Sequence, residues 1–333
     1  MRLIVTGATG FVGEALVAAA ATAGHTGLAT GRRAPERLPV GWEGWCRDGI
    51  LASDARRHAD AVIHLEAHRP GSGTGAADEL VRTNVGGTRA WLEWAARQGI
   101  GTFVQASSVL AVSRTPGPID ETAAPQTVEP YGASKAQAEV EVRRWAEEAP
   151  GRRAVILRPA PVYGPHPRSN LVSFVRRVAA GKTSMIGRGA ARKSILARDN
   201  FVAAALHVAA RASPGCAVYN VADREALSIA ELAAIVAGLT GAPPPRSAPA
   251  WAATLAAPLA DLVAALCSRD LPLSSARLRA ATNPGFFPCD RLVATGFEHP
   301  LSTQDGLALL VDTLELGIAC RPGRRARLDR PGD

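Results

Sequence analysis

Three glycines near the start of the chain constrain its fold more than any other feature. The short apolar run Leu-Ile-Val is followed by Gly7, Gly10 and Gly13, and then by an alanine-rich stretch. This order predicts a buried strand, a tight turn and a helix. Glycines let backbone amides approach a pyrophosphate, and the helix N-terminus adds free N–H groups and partial positive charge. The opening residues therefore predict a dinucleotide-binding turn.

Apolar runs that are typical of strands alternate with helical stretches along the chain. This alternation predicts an α/β fold built on a doubly wound parallel sheet. The predicted strands are 2–6, 26–30, 44–47, 61–65, 102–106, 154–157 and 217–221. The predicted helices are 10–23, 77–98, 130–148, 171–180, 199–210 and 228–239.

The pattern becomes irregular and proline-rich in the second half of the chain, which suggests two lobes. We expect a dinucleotide-binding domain of residues 1–165, with returns to the sheet near 195–222. A smaller C-terminal substrate-binding lobe is expected from residues 166–194 and 223–320. Residues 321–333 hold a basic run and are expected to form a solvated tail.

Composition excludes several classes of protein. The 333 residues are 47% hydrophobic, which is enough for a large core. The 5 cysteines and 7 histidines show no C-x-x-C or metal-ligand spacing, so we expect reduced thiols, a cytoplasmic location and no metal site. The apolar stretch 251–267 contains a proline and an aspartate, and the first strand stands where a secretory signal would be, so we expect no stable membrane insertion.

The formal net charge of +8 indicates anionic ligands. No aromatic-basic interleaving or helix-turn-helix pattern accompanies it, so we expect no nucleic acid partner. We interpret the basic surface as one that gathers an anionic cofactor and substrate. The glycine-rich residues 71–75 follow a predicted strand, and they form either a cover over the ligand crevice or a plain surface loop.

The end of the second predicted strand bears on the choice of cofactor. An acidic residue there holds the ribose hydroxyls of NAD, whereas an arginine favours a 2′-phosphate. Gly31 occupies this position, and Arg32 and Arg33 follow it. Because a guanidinium binds phosphate through two hydrogen bonds, the sequence favours NADP(H), with NAD(H) also allowed. Solvated turn arginines are the alternative, and Asp48 is placed to accept a hydrogen bond from the adenine amino group.

A tyrosine, a lysine and a serine pair supply groups for acid–base chemistry. Tyr131 and Lys135 are four residues apart in a predicted helix and so share one face. A nearby ammonium stabilises a phenolate and lowers the pKa of a phenol from about 10. Ser107 and Ser108 follow a strand at its carboxyl end, where a hydroxyl can bind the reacting oxygen. A turn or a helix cap is the alternative reading of the serine pair.

Together these motifs resemble those of the extended short-chain dehydrogenases/reductases of the NAD-dependent epimerase/dehydratase type. The resemblance extends over residues 1–315. The matching pieces are Thr6-Gly-Ala-Thr-Gly-Phe-Val-Gly13, Ala61-Val-Ile-His-Leu-Glu-Ala67, Asn84-Val-Gly-Gly-Thr88, Ser107-Ser108, Asp120-Glu121, Tyr131-x-x-x-Lys135, Leu157-Arg-Pro-Ala-Pro-Val-Tyr-Gly-Pro165 and Tyr219-Asn-Val221.

The resemblance implies an NAD(P)-dependent oxidoreductase or epimerase. Tyr131 would be the general acid/base, Lys135 would bind the nicotinamide ribose and tune Tyr131, and Ser108 would orient the substrate oxygen. Asn84 would support the site from its helix or play a buried structural role. The expected cofactor contacts are Gly7, Thr9, Gly10, Phe11, Val12, Gly13, Arg32, Arg33, Asp48, Leu65, Ala67, Asn84, Tyr131, Lys135, Pro159 and Val162.

Residues 187–199 resemble a segment that nucleotide-sugar enzymes of this family share. The resemblance implies that Arg192 binds the diphosphate of a nucleotide sugar and that Asn170 lies in a loop that meets the same ligand. An exposed arginine in a basic turn is the alternative. The implied reaction is hydride transfer at a sugar carbon of a nucleoside-diphosphate sugar, as a 4-keto reduction or a 4-epimerisation. The NADP(H) preference favours reduction, and a homodimer is expected.

Two other functions stay open. The alanine- and leucine-rich residues 249–266 resemble the apolar C-terminal part of hydroxysteroid-dehydrogenase-like and dihydroflavonol-reductase-like enzymes, which bind hydrophobic carbonyls or alcohols. A non-catalytic NADP(H)-binding sensor is the third hypothesis. The intact Ser108, Tyr131 and Lys135 argue against it.

The chain also departs from the family pattern at two places. Residues 111–113 replace a Val-Tyr-Gly-like turn after the serine pair. Glu66 stands where the family has alanine. Its carboxylate is expected to point to solvent, to pair with Arg69, or to alter the mouth of the substrate site.

Overall fold

The computed structural model describes residues 1–53, 55, 57–68, 76–113, 117–125, 129–165, 170–249 and 285–317. Four of the predictions fall outside these residues. They concern the pairing of Glu66 with Arg69, the glycine-rich loop 71–75, the apolar stretch 251–267, and the basic tail 321–333.

Seven parallel strands form the central sheet, which confirms the predicted doubly wound α/β fold. The strands are β1 (Arg2–Thr6), β2 (Thr26–Gly31), β3 (Trp42–Cys46), β4 (Ala61–His64), β5 (Thr102–Ala106), β6 (Arg153–Pro159) and β11 (Gly215–Val221). Their spatial order is β11-β6-β5-β4-β1-β2-β3. The order reverses between β1 and β4, and in sheets of this kind ligands bind at the carboxyl ends of the strands beside such a reversal.

Helices cover both faces of the sheet, which explains why β1, β2, β4, β5 and β6 are buried along nearly their whole length. One face packs against α1 (Phe11–Thr22) and α7 (Arg198–Arg211). The other packs against α2 (Arg47–Leu51), α4 (Gly87–Gln98) and α5 (Pro130–Glu147).

The predicted helix 77–98 is helical throughout, but a π-helical segment divides it into two α-helical parts. It begins as α3 (Ala76–Leu80), continues as a π-helical segment (Val81–Gly86), and becomes α-helical again only at Gly87. Consecutive glycines weaken a regular helix, and the buried Asn84 bonds outside the helix. The predicted strand 44–47 is also corrected, because β3 ends at Cys46 and α2 starts directly after it.

A second core lies outside the main sheet. It packs α6 (Asn170–Ala179), α8 (Ile229–Thr240) and α10 (Thr303–Thr313) against one another. Short two-stranded pairs surround this core, and α9 (Asp290–Val293) precedes α10. The pairs are β7 (Val162–Tyr163) with β10 (Leu196–Ala197), β9 (Arg192–Lys193) with β12 (Leu227–Ser228), and β8 (Ser184–Ile186) with β13 (Arg246–Ala248).

Two helices of this second core, α8 and α10, begin at capping residues. Ser228 and Glu231 form a reciprocal capping box at the start of α8, and the Ser302 side chain caps α10. Among the described helices, none combines the length and the apolar character that crossing a bilayer requires.

Candidate active site

The glycine turn between β1 and α1 has no room for a side chain at Gly7 or at Gly13. Gly7 has a φ of 66°, and a Cβ there would lie 2.9 Å from the backbone nitrogen of Glu66. A Cβ on Gly13 would lie 2.7 Å from Cα of Ala8 and would also collide with the Gly7 carbonyl. Gly10 is the N-cap of α1, so no capping side chain covers the first N–H groups of this helix. The turn therefore fits the diphosphate of a dinucleotide.

Phe11, the first residue of α1, packs against the segment that follows β6. A Cβ on Gly164 would lie 2.9 Å from Cζ of Phe11, and the guanidinium carbon of Arg198 lies 5.2 Å from the centre of the Phe11 ring. Pro159 ends β6 and Val162 begins β7. The structure thus brings the start of α1 next to the segment that was predicted to line the nicotinamide. Val12, the next residue of the helix, packs against the core below the turn.

The end of β2 lies beside the glycine turn. Gly31 is buried, and a Cβ on it would lie 3.0 Å from Oγ1 of Thr9. Arg32 and Arg33, which follow it, are exposed. A carboxylate at position 31 would crowd Thr9, whereas the two guanidinium groups beside it are free to reach toward solvent. This arrangement is compatible with a phosphate on the adenosine ribose.

Glu66 forms a buried charge network with α2 and α4. Its side chain is 12% exposed, and Oε1 accepts a hydrogen bond of 3.0 Å from Nη1 of Arg47. The indole nitrogen of Trp91 donates to Oε2 at 3.4 Å. Of the three expectations for Glu66, the one that its carboxylate points to solvent is therefore wrong, because the carboxylate is turned inward to Arg47 and Trp91. Arg47 also donates from Nε to Asp48 at 2.8 Å, and the Asp48 side chain remains 82% exposed.

Asn84 holds the loop after β4 in place. Its Oδ1 accepts from the His68 backbone nitrogen at 2.7 Å, and its Nδ2 donates to the His68 carbonyl at 3.1 Å and to Oγ of Ser134 at 2.9 Å. Leu65 and Ala67, the predicted cofactor contacts of this loop, are half-buried and exposed respectively. Asn84 therefore ties the loop to α5 one turn from the predicted acid/base.

Tyr131 and Lys135 occupy one face of α5, as the spacing predicts. Lys135 is 2% exposed, and its Nζ donates to the Ala106 carbonyl at 2.8 Å, which fixes this face of the helix to the tip of β5. Tyr131, one turn earlier, is half-buried. Ser108 lies just beyond the tip of β5, and its Oγ accepts from the Leu110 nitrogen at 3.1 Å. This cap uses an oxygen lone pair, so the Ser108 O–H can still be donated to a substrate oxygen.

Sequence reasoning missed the buried ion pair that lies behind these residues. Glu139 is 0% exposed, and its carboxylate accepts two hydrogen bonds from Arg158, at 2.9 Å from Nε and 2.7 Å from Nη2. Ser107 donates to the same carboxylate at 2.6 Å. The signal was present in the sequence, because Glu139 is four residues beyond Lys135 on the same helical face and Arg158 interrupts an apolar strand.

His64 is a second buried polar residue that the sequence did not single out. Its Nδ1 lies 2.7 Å from Oγ1 of Thr6, and its Nε2 lies 3.3 Å from Oγ1 of Thr88. Burial, reinforced by the positive charge of Lys135, lowers the pKa of His64 to about 3. The imidazole is therefore neutral at physiological pH.

A third buried cluster connects the sheet to the second core. Asp223, just after β11, accepts from the Tyr163 hydroxyl at 2.9 Å, from the Ala197 nitrogen at 2.8 Å and from Nδ2 of Asn200 at 2.8 Å. Burial raises the pKa of Asp223, and the three hydrogen bonds oppose that rise. The cluster fixes β7 and β10 next to the carboxyl end of the sheet.

Two of the three predicted substrate residues, Arg192 and Asn170, belong to elements around the second core. Arg192 is exposed in β9, where its Nη1 donates to the Ala226 carbonyl at 3.2 Å and its backbone pairs with Ser228. Asn170 is the first residue of α6. Among the described residues, no group of three or more His, Cys, Asp or Glu side chains is arranged to hold a metal ion.

Fold and site together define a dinucleotide-dependent enzyme of the doubly wound α/β class. Residues 3–222 match the model of the NAD dependent epimerase/dehydratase family. The chain belongs to this family, which confirms the resemblance stated above. The relatives in this family are enzymes of the NAD-dependent type, and this chain is an NAD(P)-dependent enzyme of the same family.

Individual relatives differ in what they act on. The chain is 26% identical over 309 residues to an N-acetyl-alpha-D-glucosaminyl-diphospho-ditrans,octacis-undecaprenol 4-epimerase of Escherichia coli O157:H7, covering 92% of this chain and 93% of that protein. It is 31% identical over 264 residues to a 3-diazoavenalumate denitrifying reductase of a Streptomyces species, covering 75% and 85% respectively.

Solved structures share the fold over nearly the whole length. A UDP-glucuronic acid 4-epimerase from Bacillus cereus, solved in complex with NAD, superimposes with a TM-score of 0.71 at 19% identity. The match covers 95% of this chain and 99% of the epimerase. At this identity the likeness describes the fold alone.

Proposed function

We propose that this enzyme transfers a hydride at carbon 4 of a sugar that is carried on a diphosphate, as a 4-epimerisation or a 4-keto reduction. The observation that carries the proposal is the 2.8 Å contact between Nζ of Lys135 and the Ala106 carbonyl. This contact holds the face of α5 that bears Tyr131 against the tip of β5, which leads into Ser108. The proposed proton donor, Tyr131, and the proposed oxygen-binding hydroxyl, Ser108, are thus carried by two elements that meet at the carboxyl end of the sheet.

The chain's own residues handle the proton in this reaction. Tyr131 takes the proton of the C4 hydroxyl during oxidation and returns one to the C4 oxygen during reduction. Lys135 carries its ammonium on the same face of α5 as Tyr131. Ser108 donates a hydrogen bond to the same sugar oxygen and orients it. When bound, the nicotinamide dinucleotide supplies the hydride chemistry.

The substrate class is supported by how much of the chain resembles a sugar-diphosphate enzyme. The undecaprenol-linked sugar epimerase matches 92% of this chain, so the match includes the second lobe as well as the dinucleotide domain. Arg192 lies in that lobe, exposed and cationic. A guanidinium suits a diphosphate because it binds two oxygens at once.

The assay follows cofactor and product together. The purified enzyme is incubated with UDP- and dTDP-linked sugars and their 4-keto forms, while NADPH absorbance and product configuration are recorded. Epimerisation inverts C4 without net cofactor consumption, and reduction consumes one NADPH for each product. Either outcome supports the proposal. Failure to turn over or bind any diphosphate-linked sugar contradicts it.

A second candidate is reduction of a substrate other than a sugar, with a hydrophobic carbonyl as the expected class. The 31% identity to a reductase of a non-sugar substrate, the 3-diazoavenalumate denitrifying reductase, favours it. A thermal-shift panel separates the two candidates. We expect diphosphate-linked sugars to raise the melting temperature in the presence of cofactor. A rise with aryl ketones or steroids, and none with the sugars, would favour the second candidate instead.

We propose NADP(H) as the preferred cofactor. Arg32 is exposed at the end of β2, beside a buried Gly31 that carries no carboxylate. A charge-assisted hydrogen bond to a 2′-phosphate contributes about 1.5–3 kcal/mol, so NADPH should bind roughly 10- to 100-fold more tightly than NADH.

Fluorescence titration of both cofactors tests this preference. Arg32→Asp should weaken NADPH binding and leave NADH binding nearly unchanged, and Arg37→Asp, at another exposed arginine of the same loop, is the control. Equal binding of both cofactors by the wild-type enzyme would refute the preference.

A further inference from the structure

One stretch of the second lobe contains no acidic residue. Residues 170–198 include no aspartate or glutamate, although they include seven lysines and arginines. The seven are Arg176, Arg177, Lys182, Arg188, Arg192, Lys193 and Arg198. The stretch contains the proposed diphosphate contact, Arg192.

The pairing of adjacent elements adds a further cation to this region. Arg246 of β13 is in register with Ser184 of β8. A Cβ on Gly181, which precedes β8, would lie 3.4 Å from Cγ of Pro243, so the segments leading into both strands also touch. We call the exposed side chains of this region the basic corner. It consists of Arg176, Arg177, Lys182 and Arg246 around the start of β8, and of Arg188, which follows the end of β8 on the way to Arg192.

The charges of the basic corner are left uncompensated by the described part of the chain. No described carboxylate lies within ion-pair distance of any of its five side chains. On α5, by contrast, Glu141 pairs with both Arg89 and Arg144. The last turn of a helix favours cations, which accounts for Arg176 and Arg177, but not for Lys182, which follows α6, or for Arg188 and Arg246.

We propose that the basic corner docks on the surface of an anionic lipid bilayer, where it presents Arg192 to the diphosphate of a lipid-linked sugar. This inference rests on the proposed function and specifies the carrier. A diphosphate that joins a sugar to a polyprenol stays at the water interface, because its charges cannot enter the hydrocarbon. An arginine that binds such a diphosphate must therefore come to the bilayer surface, and the residues around it face the headgroups.

The charge of the basic corner complements such a surface. Anionic headgroups attract polybasic segments within about one Debye length, and the attraction weakens as salt rises. An acidic residue in the same place would be repelled, which accounts for the acid-free stretch. This docking needs no inserted helix.

Vesicle sedimentation tests the docking without substrate. The full chain is mixed with vesicles of phosphatidylcholine alone, or of phosphatidylcholine and phosphatidylglycerol in equal parts, at low and high salt. The test variant is Arg177→Gln/Lys182→Gln/Arg188→Gln. The control, Arg37→Gln/Arg82→Gln/Arg211→Gln, removes the same charge from exposed positions outside the lobe.

We expect the wild type and the control to bind the anionic vesicles, and to bind them less at high salt. Each lost charge weakens such binding roughly fivefold, so the test variant should bind on the order of 100-fold more weakly. Equal loss in the test and control variants, binding to phosphatidylcholine alone, or no vesicle binding by the wild type would overturn the proposal. So would displacement by DNA at equal phosphate concentration, because the corner would then be a general polyanion site.

A turnover measurement separates this proposal from the one on which it rests. Both variants should act on UDP-linked sugar at the wild-type rate, and only the test variant should be slow on polyprenol-linked sugar in anionic vesicles. Vesicle binding without turnover of either sugar would contradict the proposed function alone. Equal rates of both variants on the lipid-linked sugar would contradict the docking.

Discussion

Glu139 shows how much of the site depends on a single buried carboxylate. Lys135 docks on the Ala106 carbonyl, and one turn later Glu139 accepts a hydrogen bond from Ser107, the next residue of the chain. Lys135 and Glu139, one turn apart on α5, thus hold Ala106 and Ser107, the two residues before Ser108. Arg158 fixes the same carboxylate from β6. We therefore assign Ser107, Glu139 and Arg158 as positioning residues.

Glu139→Gln should destabilise the protein strongly, because it leaves the Arg158 charge buried without a full partner. Removing one member of a buried pair costs about 3 kcal/mol or more. The control is Glu141→Gln on the same helix, whose partner Arg89 is half exposed, and it should cost less than about 1 kcal/mol. Denaturant unfolding of both variants makes the comparison. If Glu139→Gln lost no more stability than Glu141→Gln, Arg158 would not need the charge of Glu139.

The elements show which features sequence patterns can predict. The glycine turn, α1, and the shared face of Tyr131 and Lys135 depend on residues close together in the chain, and their positions were predicted. The π-helical segment Val81–Gly86 was not predicted, because apolar periodicity does not distinguish a π-helical turn from an α-helical one. The partners of Glu66 and Glu139 also escaped prediction, since they come from distant strands and helices.

Substitution by alanine should have opposite effects on stability at two glycines that lie in different helices, Gly13 and Gly87. A Cβ on Gly13 would collide with the backbone of the glycine turn, whereas a Cβ on Gly87 would meet nothing outside its own helix within 4 Å. Gly87→Ala should stabilise the protein by about 0.5–1 kcal/mol, because alanine loses less entropy in a helix.

Gly13→Ala should lower both the stability and the affinity for the dinucleotide, since α1 must move away from β1. Thermal unfolding and cofactor titration measure the two effects. Wild-type cofactor affinity in Gly13→Ala would contradict the close packing assigned to the turn.

At the scale of the whole molecule, the carboxyl end of the sheet, where we propose the ligand sites, also makes the stability of the protein sensitive to acid. The unfolded chain protonates His64 below about pH 6.5, whereas the folded protein keeps it neutral until about pH 3. The contribution of the neutral His64 to the free energy of unfolding is therefore complete above pH 6.5, and it falls as the pH decreases toward 3. Its slope reaches about 1.4 kcal/mol per pH unit.

His64→Asn isolates this contribution. The variant loses packing at every pH, but its stability should decrease less steeply than that of the wild type between pH 6.5 and pH 5. Denaturant unfolding at a series of pH values gives both slopes. Parallel pH profiles would show that His64 is not held neutral in the folded protein.

The central claim, hydride transfer to a sugar carbon with Tyr131 as proton donor, is tested most directly with NADPH deuterated at the transferring position of the nicotinamide. The wild-type enzyme should place deuterium on C4 of a diphosphate-linked 4-keto sugar, as mass spectrometry and NMR of the product would show. Tyr131→Phe should do so about 100-fold more slowly, with cofactor affinity and unfolding temperature unchanged, since a positioned acid contributes at least that factor. Deuterium in an aryl ketone product and in no sugar, or an undiminished rate in Tyr131→Phe, would contradict the account.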